Sequence, residues 1–402
     1  MHLIDDLRAE PNALAEHYSH FRVARRLLLT GHSHQAWPDV ARDAQLEAFD
    51  DAAERVDHKW SRAFEKADRV KRGFQMLLGD RSGSLALAAN THDLLIRFLS
   101  ALPLEERPRL VTTDGEFHSI RRQLERLEEA GFEVVRASSD DPSTLAERLA
   151  ALVDDRTAAV LVSTVLFGSG RIVPGLGHVV DATQRHGAEF LLDTYHQLAA
   201  VPFSIEESGL GAAFAVGGGY KYCQLGEGNC FLRVPPGRDL RPVVTGWYAE
   251  FEDLQTTPAG GVAYGRGAAA FAGATYDPTS HYRGAAVFDF FDEHGLDGEF
   301  LRRVSQHQVG RLSDRFDALD LPQSLVTRPA VPLRELGPFL TLRSPHAGEL
   351  AKGLRELGVS TDVRGQNLRF GPAPYLCDRQ LDDAMAALGD VAQGLGVRGL
   401  TP

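Results

Sequence analysis

Cysteine is scarce: the 402 residues hold three, Cys223, Cys230 and Cys377. Their spacing matches no zinc site, and they are too few for a disulfide framework, so they read as unpaired thiols. Long apolar runs are missing too. No stretch approaches the roughly 18 residues of a membrane span, and the start, Met1 to Arg8, has no basic region leading into an apolar one. Nor is there a surplus of basic residues. Asp and Glu number 55 against 43 Lys and Arg, for a net charge of −12, which argues against a nucleic-acid backbone or an anionic membrane as the main partner. Gly217-Gly-Gly fits neither a dinucleotide fingerprint nor a Walker loop, and no helix-turn-helix, internal repeat or low-complexity tract is found. These absences leave a cytoplasmic protein that acts on small molecules as the expectation.

What is present is a chain with 43% hydrophobic residues, long enough to bury a large core and to form more than one domain. From about residue 40, short apolar runs alternate with helix-like segments, the pattern of a parallel sheet covered by helices. Strands are expected at Arg109–Thr113, Phe132–Arg136, Ala158–Ser163, Phe190–Asp193, Ala213–Val216 and Asn229–Val234, with helices over Ser119–Ala130, Ser143–Val153 and Leu176–His186 and an apolar run at Ser84–Ala88. Residues 235 to 282, rich in Gly and Pro and centred on Gly260-Gly-Val-Ala-Tyr-Gly-Arg-Gly, read as a long loop region. Beyond it, helices at His281–Leu319, His346–Leu357 and Asp378–Gly394 with short strands between them form a smaller α+β unit. The division expected is an N-terminal segment 1–40, a large domain 41–285 and a small C-terminal domain 286–402.

In such α/β sheets ligands collect at the carboxyl ends of the strands. Asp193 ends one strand, and Lys221 follows another across Gly217-Gly-Gly-Tyr220. A lone lysine amine and a strand-end carboxylate are what pyridoxal phosphate requires: the amine condenses with the aldehyde, and the carboxylate keeps the pyridine nitrogen protonated so that the ring accepts electrons. Asn90-Thr91-His92 opens a helix, whose free amides suit a phosphate, although Asn90 also suits a plain N-cap. Phe117 stands where its ring either stacks on a heterocycle or joins the core. His196, three residues beyond Asp193, faces the same ligand or plays a structural part. Arg369, ahead of Pro372-Ala-Pro374, is either a bidentate carboxylate clamp or one half of a salt bridge.

The order of these residues resembles fold-type I pyridoxal-phosphate enzymes of the class V aminotransferase group, and kynureninases most closely. The similar segments are Leu29-Thr-Gly31-His-Ser33-His-Gln-Ala-Trp-Pro38, Asn90-Thr-His92, Phe117, Asp193-Thr-Tyr-His196, Gly219-Tyr-Lys-Tyr222, Gly246-Trp247, Thr275 and Arg369-Phe-Gly-Pro-Ala-Pro374, spread over about residues 25 to 380. The resemblance implies a mainly parallel seven-stranded sheet in the large domain. It implies a homodimer in which Trp247 and Thr275 reach the phosphate held by a neighbouring chain. It also implies Lys221, Asp193 and Tyr220 as catalytic groups, with Tyr220 serving the phosphate or a proton relay, and Thr164 on the phenolic oxygen of the cofactor. Arg369, Ser33 and His32 would bind an amino-acid substrate whose Cβ–Cγ bond is cleaved to release alanine.

The chain departs from that pattern at Cys223-Gln-Leu-Gly-Glu-Gly228, where the group has Leu-Asn-x-Gly-Pro-Gly, at His32 in place of an Asn, and at Trp247-Tyr248 in place of Trp-Trp or Trp-Phe. An aminotransferase or another β-lyase would use the same lysine, aspartate and arginine. A cysteine desulfurase needs a loop thiol, and no cysteine lies between Arg238 and Leu368. A non-catalytic ligand-binding protein is the remaining alternative.

Overall fold

A computed structural model describes residues 4–251 and 261–399; Gly260, at the expected loop centre, lies outside them. The strands in chain order are β1 (Leu27–Leu28), β2 (Ser84–Ala88), β3 (Arg109–Thr113), β4 (Glu133–Ala137), β5 (Thr157–Ser163), β6 (Glu189–Asp193), β7 (Phe214–Gly218), β8 (Cys230–Val234), β9 (Leu340–Arg343), β10 (Val359–Ser360), β11 (Asp362–Arg364) and β12 (Asn367–Phe370).

Seven of these form one sheet in the order β2-β8-β7-β6-β5-β3-β4. β8 runs antiparallel to both neighbours, and the pairs from β7 to β4 are all parallel. Alternate residues of each strand enter opposite cores, as the pleat demands. Val160, Val162, Phe190 and Leu192 join one cluster, while Leu161, Leu191, Phe214 and Val216 join the other. Because both faces are covered, the central strands read as continuous apolar runs. The carboxyl ends of the parallel strands line up along one edge: Ser163 is paired with Asp193, Asp193 with Val216, and Gly218 with the first residue of β8, Cys230. That edge carries the site.

The second unit is built on the antiparallel sheet β11-β12-β9 and a parallel pair between β1 and β10. The N-terminal segment therefore joins this unit, and a bridge from Thr30 to Gly371 extends the contact. The boundary expected between residues 285 and 286 falls inside one continuous helix, Thr279–His294. That helix packs on the helices Val40–Arg55 and Lys59–Leu78, since burying its apolar residues against them outweighs any change in composition at that point. The described parts of the region 235 to 282 are mostly loop, as expected, with short 3-10 turns at Trp247–Glu250 and Gly267–Phe271. Among the described residues no helix is long and apolar enough to cross a membrane.

Candidate active site

A cavity of about 400 Å³ opens at the carboxyl edge of the sheet. Eight of the residues picked out from the sequence line it: Asn90, Thr91 and His92 at one end, Asp193 and His196 beneath, and Phe117, Tyr220 and Lys221 around it.

The turn that delivers Lys221 depends on glycine at 218, because a Cβ there would meet the Cys230 Sγ and the Tyr195 Oη. The chain can hug β8 only without a side chain. Past the lysine, Gln224 adopts a left-handed backbone (φ 59°). Its buried amide accepts from the Tyr18 hydroxyl and donates to Gln35 Oε1 at 2.9 Å, so the N-terminal segment fixes the lysine loop from behind.

Lys221 is buried, and its Nζ donates to His196 Nε2 at 2.6 Å. The amine sits 4.8 Å from the ring centre of Tyr195 and 5.3 Å from that of Phe117. Burial is the largest influence on it and lowers its pKa to about 7; Asp193 pulls the other way, while Arg369 and Arg364 push it down further. Burial also holds His196 far below the usual imidazole range, helped by the charge of Lys221, so its ring is neutral and accepts. His196 Nδ1 has no hydrogen-bond partner among the described residues. Asp193 is raised by burial, partly offset by the Tyr195 amide, which donates to its Oδ1 at 2.9 Å, and by Lys221. A cationic partner would complete this carboxylate.

At the helix end, Asn90 Oδ1 accepts from the Asp93 amide at 2.9 Å, so Asn90 caps the helix Thr91–Ser100. The cap leaves Asn90, Thr91 and His92 along the cavity wall. Tyr220 stacks on His34 with ring centres 4.8 Å apart. Burial raises its phenol to about 12, which leaves it a proton donor.

Thr164 is not among the cavity-lining residues. Its hydroxyl donates to the Asp193 carbonyl at 3.2 Å, and its neighbours Ser163 and Val165 line the cavity in its place, because successive side chains at the strand end point opposite ways. Three other expectations also fall outside the cavity lining. Ser33 is half-buried with its hydroxyl 3.1 Å from His34 Nδ1. His32 is fully buried, with Nε2 3.4 Å from Asp362 Oδ2, and burial lowers it to about 4. Arg369 lies just behind Phe167, one of the lining residues. Its Nη1 donates to the Phe167 carbonyl at 2.6 Å and its Nη2 pairs with Asp362. Trp247, 43% exposed, and Thr275 lie on the surface away from this chain's cavity.

Sequence reasoning missed Tyr195 and Glu116. Tyr195 was visible between Asp193 and His196, but a buried tyrosine gives no sign of which way it points. Glu116 sits under the edge. Its carboxyl accepts from the Ser163 and Thr113 hydroxyls, both at 2.6 Å, and burial raises it to about 7.

A buried amine lowered toward neutrality, an under-partnered strand-end carboxyl, flanking rings and a capped helix end fit pyridoxal phosphate in the donor types they offer. The cavity is also of a size for a cofactor ring. Among the described residues no cluster of ligands suits a metal ion.

No family model matches the chain. Among curated proteins it is 28% identical to a kynureninase from Deinococcus radiodurans over 360 residues, 84% of this chain and 82% of that protein. It is 27% identical to one from Geobacillus thermodenitrificans over 310 residues, 70% of this chain and 67% of that one. Solved structures of the same fold include a C-DES mutant with glycine covalently linked to its PLP cofactor (TM-score 0.79, 15% identity, 93% of this chain and 98% of that one). The apo cysteine desulfurase of Thermococcus onnurineus is another (TM-score 0.79, 15% identity, 98% and 99%). The chain thus has the fold-type I architecture of pyridoxal-phosphate enzymes, and by sequence it is kynureninase-like.

Proposed function

We propose that the protein is a pyridoxal-phosphate enzyme that hydrolyses the Cβ–Cγ bond of a γ-keto α-amino acid, giving a carboxylic acid and alanine. The observation that carries this reading is the buried Lys221 amine set between Asp193, His196 and two aromatic rings. When bound, the cofactor supplies an aldehyde that captures amines and a ring that accepts electrons from the substrate.

The chain's own groups do the rest. Lys221 Nζ would hold the cofactor aldehyde, and as a free amine it would take the proton from the substrate Cα. A pKa near 7 makes it a competent base at neutral pH. Asp193 keeps the ring nitrogen charged, and Phe117 covers the ring. The amides of Thr91 and His92 hold the phosphate. Tyr220, kept protonated, donates to the phosphate or passes protons. Arg369 holds the substrate carboxylate, with His32 and Ser33 nearby. Trp247 and Thr275 serve the phosphate of a second copy, which makes the working unit a homodimer.

Balance requires one water per turnover: its oxygen and one proton go to the released acid, and its other proton goes to alanine. The test follows the products from L-kynurenine and 3-hydroxykynurenine. Equimolar alanine and the matching anthranilate are expected. Keto acid without alanine would move the reading to an aminotransferase, and pyruvate with ammonia would move it to a β-lyase.

Desulfurase chemistry is the second reading, raised by the structural neighbour, and the thiols speak against it. Cys223, Cys230 and Cys377 are all buried, and burial pushes Cys230, the one lining the cavity, up to about 12. A persulfide carrier needs an accessible thiolate.

The lowered lysine can also be checked without turnover. Borohydride trapping of an aromatic aldehyde on Lys221 of the cofactor-free protein, located by peptide mass spectrometry, should rise with a midpoint near pH 7. The neutral amine is the nucleophile, so yield grows as pH rises. A midpoint at the ordinary 10.5 would contradict the role given to burial.

A further inference from the structure

Asp362 has no part in the site so far, yet it touches the group assigned to the substrate carboxylate. It sits on β11, joined to β12 by the two-residue turn Gly365-Gln366, and the register puts Asp362 directly opposite Arg369. The pair is therefore built into a hairpin rather than made by two wandering side chains. Arg369 is buried, with 3% of its surface exposed. One Nη donates to the Phe167 carbonyl and the other to Asp362 Oδ2, while Nε has no partner among the described residues. A buried guanidinium donor left empty is costly unless something fills it. The other carboxylate oxygen of Asp362 accepts from Arg364 Nη1 at 2.8 Å. Of the other titratable neighbours, His32 is neutral because burial lowers it, and Tyr222 is neutral because burial raises it. Two guanidinium groups and one carboxylate leave the cluster a single net positive charge, close enough to act on Lys221.

We propose that Asp362 is a positioning residue for Arg369, holding the guanidinium so that its empty Nε side meets the α-carboxylate of the amino-acid substrate. Arg364 supplies the charge that Asp362 cancels, so that the pocket stays matched to one carboxylate. The inference rests on the amino-acid reading of the site and deepens it. Asp362 stays on Arg369 when substrate binds, because the hairpin fixes both backbones.

The test uses holoenzyme and two ligands titrated by calorimetry: L-alanine, and ethylamine, which is alanine without its carboxylate. Asp362→Asn should weaken alanine about tenfold, the scale of one charge-assisted hydrogen bond, and leave ethylamine within about twofold. Asp362→Glu should recover part of the loss. Arg364→Gln, at a half-exposed position where folding is not at stake, should weaken alanine a few-fold and spare ethylamine. Equal weakening of both ligands by Asp362→Asn would make the residue merely structural and overturn the proposal. Tighter alanine binding would show that Asp362 competes with substrate and would overturn it as well. Arg369→Lys separates the two levels. If it abolishes the preference for alanine while Asp362→Asn does not, only the positioning role fails. If the preference survives Arg369→Lys, the carboxylate anchor itself is wrong.

Discussion

Lys221→Ala is expected to lose activity by about 10³-fold or more, the upper range of what one positioned acid–base group contributes, and to lose borohydride-stable attachment of the cofactor altogether. Two roles converge on this amine. In the proposed reaction it is the attachment point that sets where the cofactor aldehyde lies, and the base that removes the proton at Cα. The environment serves both. Burial lowers the amine to about 7, and His196, held neutral, accepts its proton-bearing nitrogen at 2.6 Å. A cation left in the cavity would be a poor nucleophile and a poor base. The variant should still bind free pyridoxal phosphate, since Asp193, Phe117 and the amides of Thr91 and His92 do not depend on the lysine. Added methylamine should restore part of the base function, because the truncated side chain leaves room for it. Full activity in Lys221→Ala, with the cofactor band unchanged, would remove the foundation of the assignment.

The lysine and its carboxylate were legible because the glycine turn and the strand-final Asp are local signals. Where the answer depended on pairing across the chain, the sequence was mute. β8 reads as one more apolar strand, and nothing in Asn229–Val234 declares that it runs against its neighbours; its direction follows from the short connection back from β7. The N-terminal segment joins the second unit through the two-residue β1–β10 pair, the Thr30–Gly371 bridge and scattered side-chain contacts such as Asn12 to the Pro374 carbonyl, each too short to leave a pattern. Thr164, just past β5, stays out of the cavity lining while Ser163 and Val165 enter it, a one-position alternation that composition does not reveal. Arg369 was found by its neighbours Pro372 and Pro374, but its partner was not. Val363-Arg-Gly-Gln-Asn-Leu368 reads as a tight hairpin once looked for, and counting outward from Gly365-Gln366 pairs Asp362 with Arg369.

A pair deep in the fold, Arg233 with Asp80, should prove the costliest to break. Both side chains are wholly buried. Arg233 Nε donates to Asp80 Oδ2 at 2.7 Å, and its Nη1 donates to the carbonyls of Gly211 and Ala213. Asp80 Oδ1 also accepts from the amides of Ser82 and Gly83, each at 3.1 Å. Asp80 follows the helix Lys59–Leu78, and Arg233 lies on β8. The pair therefore pins the helix to the edge strands whose other ends carry Cys230 and Asn90. Asp80→Ala strands the guanidinium without a counter-charge and should cost about 3–5 kcal/mol in urea unfolding at pH 7. Replacing both partners, as Asp80→Ala with Arg233→Met, should recover much of that, because it is the lone charge that hurts. Acid offers an independent check. Burial raises Asp80, but Arg233 and the two amides outweigh it and hold the carboxyl below its ordinary 3.8. A depressed carboxyl contributes stability that is present above the unfolded value and lost as pH falls through the folded one. The gap between wild type and Asp80→Ala should therefore be constant from neutral pH to about 5 and narrow below 4. A gap that held or widened in acid would mean that the carboxylate charge is not what steadies Arg233.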